Sequence, residues 1–205
     1  MFIRALEFLK LLKVSFVLHL IIDSRKINSS ELQAILNQYN IVGEIHSLNN
    51  STKGSADTVM KISHLLAKMN PILIVDCDIE FFSSGFFDYI NHRDKNSRYD
   101  GCIAFFNSNE DKFSFAEIIT ETGLVSRVAE KEVISNNAII GAYYFKDFLL
   151  FYQAFEILKS QKLKEGDEYY LSKILGILVS QKNKIKAFEG RMQNFGSFDD
   201  LIKFI

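Results

Sequence analysis

Cysteine and proline are scarce in this chain, and neither sign of charge predominates. The two cysteines, Cys77 and Cys102, sit in apolar runs, and their spacing resembles neither a metal clip nor a disulfide framework. They are expected to be buried thiols of a reducing compartment, the cytoplasm. The single proline, Pro71, separates a helical stretch from the strand after it. No Pro/Gly/Ser-rich linker, repeat or low-complexity tract divides the chain. The formal net charge is -1 with lysines spread along the length, which excludes the basic field that non-specific nucleic-acid binding needs. Long uncharged runs are missing as well. The apolar opening "MFIRALEFLKLLKVSFVLHLII" is broken by Arg4, Glu7, Lys10, Lys13 and His19, so it falls short of the roughly 18–20 residues of a spanning helix.

What is present suffices for one core. With 205 residues, 48% of them hydrophobic, a single domain over 1–205 is expected. Hydrophobic periodicity predicts an amphipathic helix at the amino end leading into the strand "VSFVLHLII". A helix capped by Ser29 or Ser30 and the strand "GEIHSL" come next. Then follow a helix over "GSADTVMKISHLLAKM", the strand "ILIVDCD", a short helix "SSGFFDYINHR" and the strand "YDGCIAFF". A hairpin turning at Thr122-Gly123 leads to the strand "AIIGAYYF". Helices over roughly 147–160 and 168–182, a strand "IKAFEGR" and a terminal helix from Ser197 complete the pattern, with Asp199 and Asp200 in that helix's first turn. Alternation of strands and helices predicts an α/β sandwich with a mostly parallel sheet and a β-rich insertion.

The stretch "NPILIVDCDIEFF" ends an aliphatic strand in two acids, Asp76 and Asp78. Ligands of such sheets sit outside the carboxyl ends of the strands. An ionised carboxylate is costly to desolvate unless it is paired, hydrogen-bonded or bound to metal. An Asp-x-Asp at a strand end can hold Mg²⁺ or Mn²⁺ against a nucleotide phosphate, and it can equally cap the following turn. The tripeptide alone leaves both readings open.

A second stretch, "VSRVAEKEVISNNAIIGAYYF" (Val125 to Phe145), narrows the choice. Together with "KGSADTV", the "DCD" strand and "DGCIAFF", it resembles the sugar-phosphate nucleotidyltransferases, the family of glucose-1-phosphate thymidylyltransferase and the capsule and lipopolysaccharide pyrophosphorylases. The resemblance runs from the first residue to about Leu201. It implies a Rossmann-like nucleotide-diphospho-sugar transferase sandwich. It also implies that Gly54, Ser55 and Ala56 lie against the nucleobase, that Asp78 binds Mg²⁺ or Mn²⁺, and that Asp76 supports it. Glu130 would accept hydrogen bonds from sugar hydroxyls, and Lys131 would neutralise the acceptor's phosphate. Asn137 and Gly141 would line the sugar pocket, and Glu168 and Tyr169 would close over the acceptor.

The implied partners are a nucleoside triphosphate and a small phosphorylated acceptor, in capsule or cell-surface glycan biosynthesis. No proton-transfer role falls to His19, His46, His64 or His92, because an attacking phosphate is already ionised. Two departures from the family stand out. Its amino-terminal strand and glycine-rich phosphate loop have no counterpart, so the first ~30 residues, about one βα unit, are expected to be absent. A sheet lacking that strand would expose an edge and apolar surface, which favours a homo-oligomer. Asn194 stands where the family often places a second metal-binding aspartate. Two alternatives remain: a metal-dependent glycosyltransferase of the related fold, and a catalytically inactive homologue.

Overall fold

The computed structural model describes residues 2–92, 98–161 and 168–196. The terminal helix expected from Ser197, with Asp199 and Asp200, lies outside them. The amino end forms a single helical turn, α1 (Phe2–Ala5), and a 3-10 turn over Glu7–Leu11, and the strand expected over "VSFVLHLII" is confined to β1 (His19–Asp23). Next come α2 (Ser29–Gln38) and β2 (Glu44–Leu48), which runs parallel to β1 and so completes a βαβ unit. The cap of α2 is Asn28 rather than a serine, with its side chain accepting from the Ser30 and Glu31 amides.

Helix α3 (Ser55–Met60) stops well before the expected end. Ile62 is buried and Leu66 packs on the core, but Leu65 and Met69 remain exposed, so the apolar face is only partly covered and the chain tightens into a 3-10 turn over Ser63–Leu65. Strand β3 (Ile72–Val75) then ends before the two acids, and β4 (Ile79–Phe82) begins after them. The Asp-Cys-Asp stretch is therefore a connection between two strands. Cys77 is exposed in it, contrary to expectation, whereas Cys102 is buried.

Helix α4 (Ser84–His92) precedes β5 (Gly101–Asn107), the hairpin β6 (Ser114–Ile119) and β7 (Leu124–Glu130), and the long β8 (Asn137–Phe145). The hairpin turns where expected, with Gly123 at φ 64°. Helices α5 (Phe148–Ser160) and α6 (Leu171–Ser180) lead to β9 (Ile185–Glu189) and β10 (Arg191–Asn194).

Among the described residues six strands form the central sheet, in the order β3-β8-β5-β9-β7-β6, and β6 also touches β8, which partly closes the sheet on itself. Among the described residues β5 and β9 are the only parallel neighbours within it, so the sheet is mixed rather than mostly parallel. The cause is local: strands β5 to β8 are joined by a few residues each, and such short links cannot make the crossover that parallel neighbours need. Along β8 the two faces alternate. Ile139, Tyr143 and Phe145 pack toward α5 and α6, while Ile140, Ala142 and Tyr144 pack toward α4 and the amino-terminal turns. The result is a three-layer α/β sandwich with a β-rich middle.

Among the described residues β1 pairs with β2 alone, and β4 with β10. A cavity of about 1350 Å³ lies between β1 and β3, lined by His19 to Ile22 on one side and Ile72 to Val75 on the other.

Candidate active site

The two acids at the end of β3 face a cavity of about 380 Å³ whose wall comes from β4, β6, β7, β8, β10 and α6. Two glycines make room for them. Gly141 sits where β8 carries extra residues between its pairings with Ile103 and Phe105, and a side chain there would run into the Asp76 carboxylate. The Gly141 carbonyl also accepts from the Asp76 amide at 2.8 Å. Gly196 does the same for Asp78, whose carboxylate would meet any Cβ at that position. Asn194 stands beside them: β10 pairs it with Ile79, its Oδ1 accepts from the Gly196 amide at 2.9 Å, and the Phe195 amide donates to the Asp78 carbonyl at 2.7 Å.

Asp76 keeps a little exposed surface at the cavity wall and is otherwise enclosed by protein. Its burial, followed by the charges of Asp78 and Glu130, raises its pKa from the ordinary 3.8 to about 7. The same acids act on Tyr143, whose phenol is pushed up chiefly by burial and then by Asp76 and Glu130. Three carboxylates therefore gather around one small cavity. That donor set suits a hard divalent cation: Asp76, Asp78 and the Asn194 amide oxygen would hold Mg²⁺ or Mn²⁺ and relieve the crowding.

Glu130, at the end of β7, is fixed by two hydroxyls. Ser114 of β6 and Ser172 of α6 both donate to its Oε2, the latter at 2.5 Å. These serines gave no signal in the sequence, since β6 and α6 meet Glu130 only through the fold. Lys131, at φ 55°, is not among the residues that line the cavity. Its ammonium donates to the Tyr170 hydroxyl at 3.3 Å and lies 5.0 Å from that ring's centre, and this contact raises its pKa.

Gly54, at φ 102°, lets its segment lie directly on the 168–171 stretch. There the Tyr169 amide donates to the Lys53 carbonyl at 2.7 Å, and the Ala56 amide to the Tyr169 carbonyl at 2.9 Å. Of Gly54, Ser55 and Ala56, only Ser55 reaches the cavity. Tyr169 packs against Phe155, outside the cavity, and it is Tyr170 that lines it. Glu168 is exposed and Asn137 bonds the Ala116 carbonyl, so neither lines the cavity. Lys112, from the turn before β6, does line it and was not singled out from the sequence.

No protein-family profile matches the chain, and no curated protein matches it by sequence. Solved structures do. A nucleoside-diphosphate-sugar pyrophosphorylase from Vibrio cholerae RC9 superimposes with a TM-score of 0.79 at 20% identity, covering 98% of this chain and 82% of that one. This chain has the sugar-nucleotide pyrophosphorylase fold. A UDP-glucose pyrophosphorylase complexed with UDP-glucose matches at a TM-score of 0.70 and 16% identity, over 98% of this chain and 84% of its own. An inositol-1-phosphate CTP transferase from T. maritima matches at 0.66 and 11%, over 90% and 71%. The pyrophosphorylase fold thus agrees with the resemblance read from the "EK" and "GAYYF" stretches. Within the fold, no helix among the described residues is long and apolar enough to cross a membrane.

Proposed function

We propose that this chain transfers a nucleotidyl group from a nucleoside triphosphate to a sugar 1-phosphate or a similar small phosphorylated acceptor, releasing pyrophosphate, in the building of cell-surface glycans. The observation that carries the reading is the gathering of Asp76, Asp78 and Asn194 around one cavity at the carboxyl end of β3, with Glu130 across from them. The fold shared with nucleotide-sugar enzymes supports it.

In this reaction an oxygen of the acceptor phosphate forms a bond to the α-phosphorus, and the bond from that phosphorus to the pyrophosphate oxygen breaks. The nucleophile is ionised from the start, so no general base is required, and positioning with charge neutralisation supplies the rate. A bound Mg²⁺ would neutralise charge on the triphosphate. Asp76 and Asp78 would hold that ion at the cavity wall. Glu130, locked by Ser114 and Ser172, presents its remaining oxygen to a sugar hydroxyl. Lys131, held by the cavity-lining Tyr170, would meet the acceptor's phosphate.

The test is a pyrophosphate-release assay with CTP, UTP, dTTP, GTP and ATP against a panel of sugar 1-phosphates in Mg²⁺. One pair should turn over. Asp78→Ala should abolish turnover and Mg²⁺-dependent nucleotide binding, whereas Lys131→Ala should raise KM for the acceptor and spare nucleotide binding. Consumption of a sugar nucleotide without pyrophosphate would instead identify a glycosyltransferase. Silence with every pair, from folded protein, would leave the inactive homologue as the answer.

A further inference from the structure

The parallel pair β1–β2 carries a polar cluster that the nucleotidyl-transfer chemistry does not use. His19 and Glu44 are register partners at the amino ends of the two strands, and His46 lies two residues beyond Glu44, so all three side chains fall on one face. Their potential ligand atoms converge. His19 Nδ1 is 2.9 Å from His46 Nε2 and 3.4 Å from Glu44 Oε2, and His46 Nε2 is 3.8 Å from the same carboxylate oxygen. Both imidazoles are largely covered, at 19% and 18% exposure, while Glu44 reaches solvent at 59%.

These distances have a chemical meaning. Zinc bonded to nitrogen and oxygen at about 2.0–2.2 Å in a tetrahedron sets its ligand atoms roughly 3.3–3.5 Å apart. The observed triangle brackets that spacing. A point about 2.1 Å from all three atoms exists without moving any of them. Two imidazoles and one carboxylate also form a donor set that favours zinc over the hard cations suited to the Asp76–Asp78 cavity.

We propose that His19, Glu44 and His46 form a zinc site that clips β1 to β2. The clip has a structural purpose. A two-stranded sheet is weak by itself, and among the described residues β1 has no other strand partner. A metal ion bonded to one residue of β1 and two of β2 would hold the pair in register at its amino end, leaving the carboxyl ends free.

The experiment uses untagged, metal-stripped full-length protein titrated with Zn²⁺ against a chromophoric chelator, with Co²⁺ as a spectroscopic stand-in. One equivalent should bind, Co²⁺ should show the visible absorption of a four-coordinate site, and Zn²⁺ should raise the melting temperature. His19→Ala and His46→Ala should each weaken binding by more than about 100-fold, and Glu44→Gln by at least about tenfold. His92→Ala and Asp78→Ala should leave zinc affinity unchanged, which separates this site from surface histidines and from the acidic cavity. If the histidine variants fail to fold by circular dichroism, the exposed Glu44→Gln decides alone: a weakened affinity supports the site, and an unchanged one overturns it. Absence of stoichiometric binding by the unmodified protein also overturns it.

Discussion

At the scale of single residues, the acidic cavity depends on side chains that are absent. Gly141 and Gly196 each leave the space that a carboxylate occupies, so a methyl group at either position displaces an acid rather than merely crowding the core. Gly141→Ala is expected to weaken Mg²⁺-dependent nucleotide binding by more than about tenfold while costing about 1–3 kcal/mol of stability. Calorimetric titration and chemical denaturation read the two effects separately. Asp76 makes a second prediction. Its carboxyl stays protonated in the folded chain up to about 7 but ionises near 3.8 once unfolded, so the folded state binds the extra proton between those values. The associated stability is fully present below the lower value, declines as pH rises, and is gone above the upper one. In metal-free protein, Asp76→Asn should flatten the decline of the urea midpoint with pH across that window. An unchanged slope would mean that other groups produce it. The acids themselves were legible in the sequence, whereas the hydroxyls of Ser114 and Ser172 were not, because nothing local marks a serine that bonds a residue on another element.

At the scale of elements, caps and partners decide what the periodicity leaves open. Asn28 and Asp147 each satisfy amides in the first turn of a helix, α2 and α5. Asn28→Ala and Asp147→Ala should each lower stability by about 1 kcal/mol, measured by urea denaturation, with no change in ligand binding. The hairpin β6–β7 and the strands β5 and β8 could be read directly, since alternation and a Gly turn specify them locally. The end of helix α3 could not, because Leu65 and Met69, beyond it, match a helical face and yet stay exposed. Nor could the antiparallel pairing of β4 with β10, which joins segments far apart in the chain.

At the scale of the whole molecule, two buried clusters on opposite faces of one sheet carry the stability, and the acidic cavity joins elements from the middle and the end of the chain. A ligand that bridges those elements should stabilise all of them together. Saturation at about 100 times Kd contributes about 2.7 kcal/mol, which for a chain of this size raises the melting temperature by roughly 5–10 °C. A thermal-shift titration with each triphosphate, with and without Mg²⁺, measures this. The expected result is a metal-dependent rise with one base, reduced by Asp78→Ala.

By itself the sequence determined the α/β class, the strand-end acids and the adjacency of Glu130 and Lys131, because each depends on periodicity or on residues adjacent in the chain. The tertiary structure alone decided the mixed direction of the sheet, the exposure of Cys77, the substitution of Tyr170 for Tyr169 in the cavity wall, and the meeting of His19 with Glu44 and His46. Those outcomes depend on which strands become neighbours and which face each turns inward, and that is set by the simultaneous burial of distant apolar residues rather than by any short stretch of chain.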